Sequence, residues 1–187
     1  KPEPTFHRFG PGGAIIANET PYIIDAGEGI WRAIAKAATA HPEKLSQALD
    51  PSKLTKVFIT HLHSDHTVGL PSLLLLPWTC GRTEPLAVYG PLGTRRLVES
   101  VRNAYCGDIE ERVYGPEQKN EAGSMAIVHE VEEPGLFYVD DNIRVEAFHH
   151  THGGLKQNFG YRFVTKDRTF VWGGDGIEGD AYHQIAR

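Results

Sequence analysis

Cysteine is scarce in this sequence. Cys80 and Cys106 are the only two, and they form no Cys-x-x-Cys pair. A zinc site built from cysteine alone is excluded, and two free or buried thiols are a better reading than a disulfide. Long apolar runs are missing too. The greasiest stretch, Leu70 to Trp78, is broken by Pro71 and Pro77. It falls short of the roughly eighteen residues a membrane helix needs, so no membrane span is expected. Base is not in excess. The formal net charge of −5 supplies no positive field for a nucleic acid, which disfavours that partner without removing it. Repeats, low-complexity tracts and linker-like segments are absent from the sequence. One α/β domain over residues 1–187, with mixed sheets, is the simplest architecture. The start has neither an initiator Met nor a signal segment, opening on Lys1-Pro2-Glu3-Pro4. The end, Ile185-Ala186-Arg187, reads like the inside of a helix, so a fragment of a longer protein is expected.

What the sequence does have is histidine, concentrated in one place. His61-Leu62-His63-Ser64-Asp65-His66 puts three imidazoles and one carboxylate within six positions of a chain with ten histidines. The residues before them, Val57-Phe58-Ile59-Thr60, read as a buried strand. Such ligand density at a strand end points to a metal. The competing reading is a surface loop that happens to carry histidines. In extended backbone His61 and His63 point the same way, so both could hold one ion. Asp65 and His66 lie where the chain turns into a helix and face a second point. One loop thus offers two ligand pairs, as a site with ions about 3.5–4 Å apart requires.

Two more strand ends carry ligands. Phe148-His149-His150-Thr151-His152-Gly153-Gly154 follows a strand at 143–148, and periodicity does not choose among its histidines. Trp172-Gly173-Gly174-Asp175-Gly176 follows another apolar strand. A lone Asp among glycines is usually a turn former, and its interest lies in being the third such cluster. Further strands are expected at 14–17, 21–25, 86–89 and 126–131, with hairpins pairing 136–139 with 143–148 and 160–165 with 169–172. Helices are expected from Ile30, over 68–76, and from Thr94 as N-cap through Tyr105, with a short piece between Pro42 and Pro51. The polar stretch 106–124, punctuated by Gly and Pro, reads as a loop.

These features resemble the metallo-β-lactamase superfamily, and within it the ribonuclease Z and arylsulfatase-like branch. The likeness rests on Phe-Ile-Thr-His-Leu-His-Ser-Asp-His-Thr-Val-Gly-Leu-Pro at 58–71 and Tyr-Ile-Ile-Asp-Ala-Gly-Glu-Gly at 22–29. It extends to Val-Tyr-Gly-Pro-Leu-Gly-Thr at 88–94, Asn-Phe-Gly-Tyr-Arg-Phe at 158–163 and Asp-Arg-Thr-Phe-Val-Trp-Gly-Gly-Asp at 167–175. The resemblance implies an α/β (α+β) fold of four layers, an αββα sandwich, here incomplete. In this branch the late ligand is followed by Gly and precedes a Gly-Tyr-Arg step by about eight residues, which picks His152 ahead of Gly160-Tyr161-Arg162. The resemblance further implies that His61, His63 and His152 hold one ion, that Asp65 and His66 hold a second, and that Asp175 bridges them. Asp25 becomes a residue that orients the ligand loop, with a plain turn Asp as the equal alternative. Three departures stand out. The chain begins after the family's opening Gly-Thr-rich turn, it ends before a further metal His, with only His183 beyond Asp175, and Gly-Asp-Thr is replaced by Gly174-Asp175-Gly176.

The implied activity is metal-dependent hydrolysis of a sulfate or phosphate ester. Two divalent ions lower the pKa of a shared water, which becomes the nucleophile, and Asp65 accepts its proton. The ligand types favour zinc, and manganese or iron also suit imidazole with carboxylate. From Arg102 to Glu133 only Arg102, Arg112 and Lys119 stand against eight acids, which favours a small anionic ester over tRNA. Arg82, Arg95, Arg96 and Arg102 read as a local basic patch or as solvated helix charges, and Trp78, Tyr89 and Phe148 as an aryl pocket or as core. The alternatives are a tRNA 3′-processing endoribonuclease and a non-catalytic metal-binding scaffold. By analogy a homodimer is expected.

Overall fold

A computed structural model describes residues 7–177. The expectations placed on Lys1 to Pro4, on Ile185 to Arg187 and on His183 lie outside the described residues. Strands β1 (Gly13–Ala17) and β2 (Thr20–Ile24), expected at 14–17 and 21–25, pair as a hairpin. Its two turn residues, Asn18 and Glu19, both have positive φ, which matches the twist of a tight hairpin. Helix α1 (Ile30–Ala40) buries Ile30 and Ile34 one turn apart, and α2 (Pro42–Leu45) opens on a proline. Then follow β3 (Lys56–Phe58), α3 (Ser64–Thr67), α4 (Leu70–Thr79), β4 (Leu86–Pro91), α5 (Thr94–Ala104) and α6 (Cys106–Tyr114). The described chain closes with β5 (Ala126–Val131), β6 (Gly135–Val139), β7 (Arg144–His149), β8 (Phe159–Val164) and β9 (Thr169–Trp172).

Two sheets result. The first has the order β1-β2-β3-β4-β5, with β2 to β5 parallel and β1 antiparallel at the edge. The second, β6-β7-β8-β9, is antiparallel throughout. Val57, Phe58 and Ile59 are all fully buried, because helices cover one face of β3 and the second sheet covers the other. Ile30, Ile34, Leu70, Leu73, Leu74 and Trp78 pack with Val57, Ile59 and Val88 on the helical side. Tyr22, Ile24, Phe58 and Tyr89 meet Val145, Phe159, Tyr161 and Phe163 between the sheets. In β7 burial alternates, with Arg144 exposed, Val145 buried, Glu146 half-buried and Ala147 buried, as one-sided packing demands. Among the described residues the layers are thus helix, sheet and sheet. No described helix is long and apolar enough to cross a membrane.

The structure corrects several expectations. Residues 106–124 are not all loop, since α6 occupies the first half. It buries only Ile109, so its helical period leaves almost no apolar trace. The helix expected over 68–76 is α4, shifted to 70–79, and a separate short helix α3 precedes it, with His63 as the extended residue before α3. Thr94 does not cap α5; its hydroxyl donates to Pro91 O. Glu130, reaching over from β5, accepts from the Gly93 and Arg95 amides instead. Cys80 and Cys106 are free and exposed. Trp78, Tyr89 and Phe148 are buried core residues.

Arg82 belongs to no surface patch. It is 1% exposed, and its guanidinium donates to four carbonyls, those of Leu54, Leu73, Leu74 and Gly123. Burial pushes its pKa down to about 10, still far above neutrality, so the buried cation stays charged. It fastens the middle of α4 to the residue pair before β3 and to the turn before β5. Replacing it by alanine removes the guanidinium from all four carbonyls. We expect Arg82→Ala to lower unfolding free energy by about 3–5 kcal/mol in urea titrations. A change below 1 kcal/mol would contradict this role for Arg82.

Candidate metal centre

The site forms where strand ends from both sheets converge. β3 ends at Phe58, and the chain runs on through Ile59 and Thr60 into His61 to His66. Tyr161 of β8 donates its hydroxyl to Ile59 O, and the Phe159 amide donates to Thr60 O, so the second sheet holds this exit path. His61 and His66 are buried, Asp65 is half-buried, and His63 is exposed. His61 Nε2 lies 3.1 Å from His63 Nδ1, and His152 Nε2 lies 3.2 Å from the same nitrogen. A tetrahedral zinc with bonds near 2.1 Å spaces its nitrogens roughly 3.4 Å apart. These three imidazoles therefore already stand at ligand spacing.

A second group shares His61. His61, His66 and Asp175 present ligand atoms within 4.8 Å of one another, as do His61, His63 and His152. His66 Nε2 faces Asp175 Oδ1 at 3.4 Å and Asp65 Oδ2 at 4.0 Å. That nitrogen is buried and makes no hydrogen bond among the described residues. A buried imidazole nitrogen turned toward two carboxylates is the arrangement a cation between them would satisfy. Of the late histidines, His149 stacks on Phe159 and His150 bonds Gly173 O through Nδ1. Only His152 joins the cluster.

Asp25 lies beneath both groups. It is fully buried and adopts φ of +56°, a left-handed conformation that costs an L-residue about 1–2 kcal/mol. Its Oδ1 accepts from the Thr60 amide at 2.8 Å, and its Oδ2 from His66 Nδ1 at 3.0 Å and Trp172 Nε1 at 3.2 Å. The Thr60 hydroxyl lies 3.0 Å from Asp25 Oδ1 and 3.0 Å from His61 Nδ1. With that hydroxyl donating to the carboxylate, His61 donates from Nδ1 and keeps Nε2 free. His66 does the same directly. Burial, followed by the neighbouring His66 charge, pushes the His61 pKa down to about 4, so His61 is neutral at physiological pH. Burial also lowers His66, but the hydrogen bond and charge of Asp25, with the charges of Asp175 and Asp65, outweigh it and hold that pKa above its ordinary value.

Residues 20–185 match the Beta-lactamase superfamily domain. The chain belongs to that family. It is 30% identical over 179 residues to the protein named Ribonuclease Z of Mycobacterium sp. (strain KMS), a match covering 94% of this chain and 58% of that one. The chain therefore spans a little over half the length of that relative. Among solved structures, human tRNase Z, short form (ELAC1), superimposes with a TM-score of 0.71 at 23% identity, over 98% of this chain and 70% of that chain. The metallo-beta-lactamase fold protein YhfI from Bacillus subtilis gives 0.64 at 13% identity, over 95% and 60%. These likenesses establish the metallo-β-lactamase fold that the sequence motifs imply.

Three residues around the candidate metal centre escaped the sequence. Thr60 and Trp172 read as strand ends and Asn158 as a polar residue before a strand. Asn158 is 1% exposed and donates to both His150 O and Asp175 O, joining the two loops that carry His152 and Asp175. An Asn directly before an apolar strand is the one local signal in the sequence, and it does not reveal the burial. The raised His66 pKa carries a sign. In the ion-free protein its stabilisation is complete below pH ~6.5 and is lost as pH rises through the folded value. Binding an ion has the opposite dependence, because the proton must leave. Zinc titrations between pH 8 and 5.5 should show the affinity at His66 falling about tenfold per unit below its pKa. Affinity that stays flat with pH would contradict a ligand role for His66.

Proposed function

We propose that these residues form the catalytic part of a dinuclear metal-dependent hydrolase, and that the whole protein cleaves a phosphodiester bond of RNA as a tRNA 3′-processing nuclease does. The observation that carries the reading is the pair of three-residue ligand groups sharing His61. The support for RNA is the name Ribonuclease Z borne by the relative that matches nearly the whole chain. In this reading His61, His63 and His152 hold one ion, Asp65 and His66 hold the other, and Asp175 stands between them. Imidazole with carboxylate favours zinc, with manganese or iron fitting the same donors.

When bound, the two ions supply an activated water and neutralise charge on the scissile phosphate. The chain's own groups do the rest. Thr60 and Asp25 hold the ligand nitrogens of His61 and His66 outward. In this reading Asp65, whose Oδ2 lies 4.0 Å from His66 Nε2, would be the carboxylate that takes the water's proton.

The acidic stretch had favoured a small sulfate or phosphate ester over tRNA. The relatives named above lend that preference no support. Four of the eight acids are engaged locally: Asp108 and Glu117 pair with Arg112, Glu121 accepts from Tyr114, and Glu130 caps α5. The two paired with Arg112 are partly neutralised, which weakens the acidic stretch as an argument against RNA.

The full-length protein should cleave precursor tRNA, with cleavage abolished by chelator, restored by zinc, and falling steeply with salt. His61→Ala should lower kcat/KM by about a thousandfold or more. Turnover of aryl sulfates without cleavage of precursor tRNA would replace this reading with the small-ester one. Two bound ions with no turnover of either substrate would point to a scaffold.

A further inference from the structure

Trp172 ends β9, three residues before Asp175. Its indole Nε1 donates to Asp25 Oδ2, the same oxygen that accepts from His66 Nδ1. The bond joins residues 147 positions apart. The indole reaches this point because β1 presents bare backbone there. A Cβ at Gly13 would lie 3.0 Å from Trp172 Cζ3. Beyond Trp172 the chain turns through Gly174, whose φ is +63° and where a Cβ would lie 2.9 Å from the Thr60 hydroxyl. That turn delivers Asp175 Oδ1 to 3.4 Å from His66 Nε2. One carboxylate oxygen therefore fixes the ring of His66 and also the strand that carries Asp175.

We propose that Trp172 is a positioning residue for the second ion. Through its bond to Asp25 Oδ2 it sets the placement of Asp175 against His66, while the group of His61, His63 and His152 meets Asp25 only through Thr60, whose amide bonds the other oxygen, and depends on Trp172 far less. The inference rests on the reading that His66 and Asp175 serve a common ion. Plain core packing is the rival account of Trp172, and it predicts a loss of stability with no preference between ions.

The test is a stepwise zinc titration of the full-length protein and its Trp172→Phe variant, with a competing chelator as the readout. Phenylalanine keeps an aromatic ring over Gly13 and removes the donor. The second ion should bind about 10- to 100-fold more weakly in the variant, as loss of an outer hydrogen bond typically gives. The first should change by less than about twofold. Equal affinities in the two proteins would overturn the proposal, and so would an equal loss of both ions. Should the variant fail to fold, the ¹⁵N–H signal of the Trp172 indole in the unaltered protein takes its place. It should move on the second equivalent of zinc and not on the first, and a signal unmoved by the second overturns the proposal. Unaltered protein that binds fewer than two ions removes the dinuclear reading and this inference together. Two ions with the expected asymmetry but no RNA cleavage would uphold the role of Trp172 and remove only the proposed substrate.

Discussion

The structure depends on one buried carboxylate. Taking Asp25 out of water carries a cost of several kcal/mol unless donors replace the lost hydration. Here the Thr60 amide and hydroxyl, His66 and Trp172 replace it. Each donor comes from a different stretch: the exit of β3, the short helix α3 and the end of β9. The full set of donors is assembled only when all three are in place. The left-handed backbone at Asp25 fits this account, since such a conformation persists only where its surroundings over-determine it.

The same hydrogen bonds decide what the histidines can do. An imidazole that donates from Nδ1 leaves Nε2 as its free ligand nitrogen. His66 donates to Asp25, and His61 reaches Asp25 through the Thr60 hydroxyl. Both are thereby aimed at one small volume before any ion arrives. His63 differs. It is exposed and turns Nδ1 toward the others, so it joins from the solvent side. Ligands held in this way lose little freedom on binding an ion, which is the usual benefit of outer hydrogen bonds around a metal.

Local patterns carried the strands, the hairpins and the first histidine cluster, because period and turn chemistry are written within a few residues of each other. What stayed hidden depends on distance along the chain. Trp172 and Asp25 are 147 positions apart, and Asn158 joins loops whose contact no window of sequence contains. The choice among the late histidines was hidden for a different reason. His149 completes β7 and stacks on Phe159, and His150 is held by Gly173. Their roles are fixed by what faces them, and alternation along β7 is silent on that. Helix α6 was missed because it buries only Ile109, with Val113 half-buried beside it, and its outer face carries charges such as Asp108 and Arg112, so no apolar stripe stands out. Arg82 was misread because nothing local separates a solvated arginine from one that meets four carbonyls.

The division of ligands between the sheets has an energetic consequence. His61, His63 and His66 leave the first sheet after β3, whereas His152 and Asp175 follow β7 and β9 of the second. Each three-residue group therefore spans the sandwich. Opening the sheets separates Phe58 from Phe163 and Tyr161, and it takes both groups apart at the same time. An ion that binds only the closed form stabilises it by about 2.7 kcal/mol at a hundred times its Kd. That is comparable to burying one large apolar side chain, about 1.5–3 kcal/mol. Metal binding at these groups would thus be linked to packing between the sheets. The aromatic core around Phe58 and the histidines above it constrain each other, and the Asp25 carboxylate links the two.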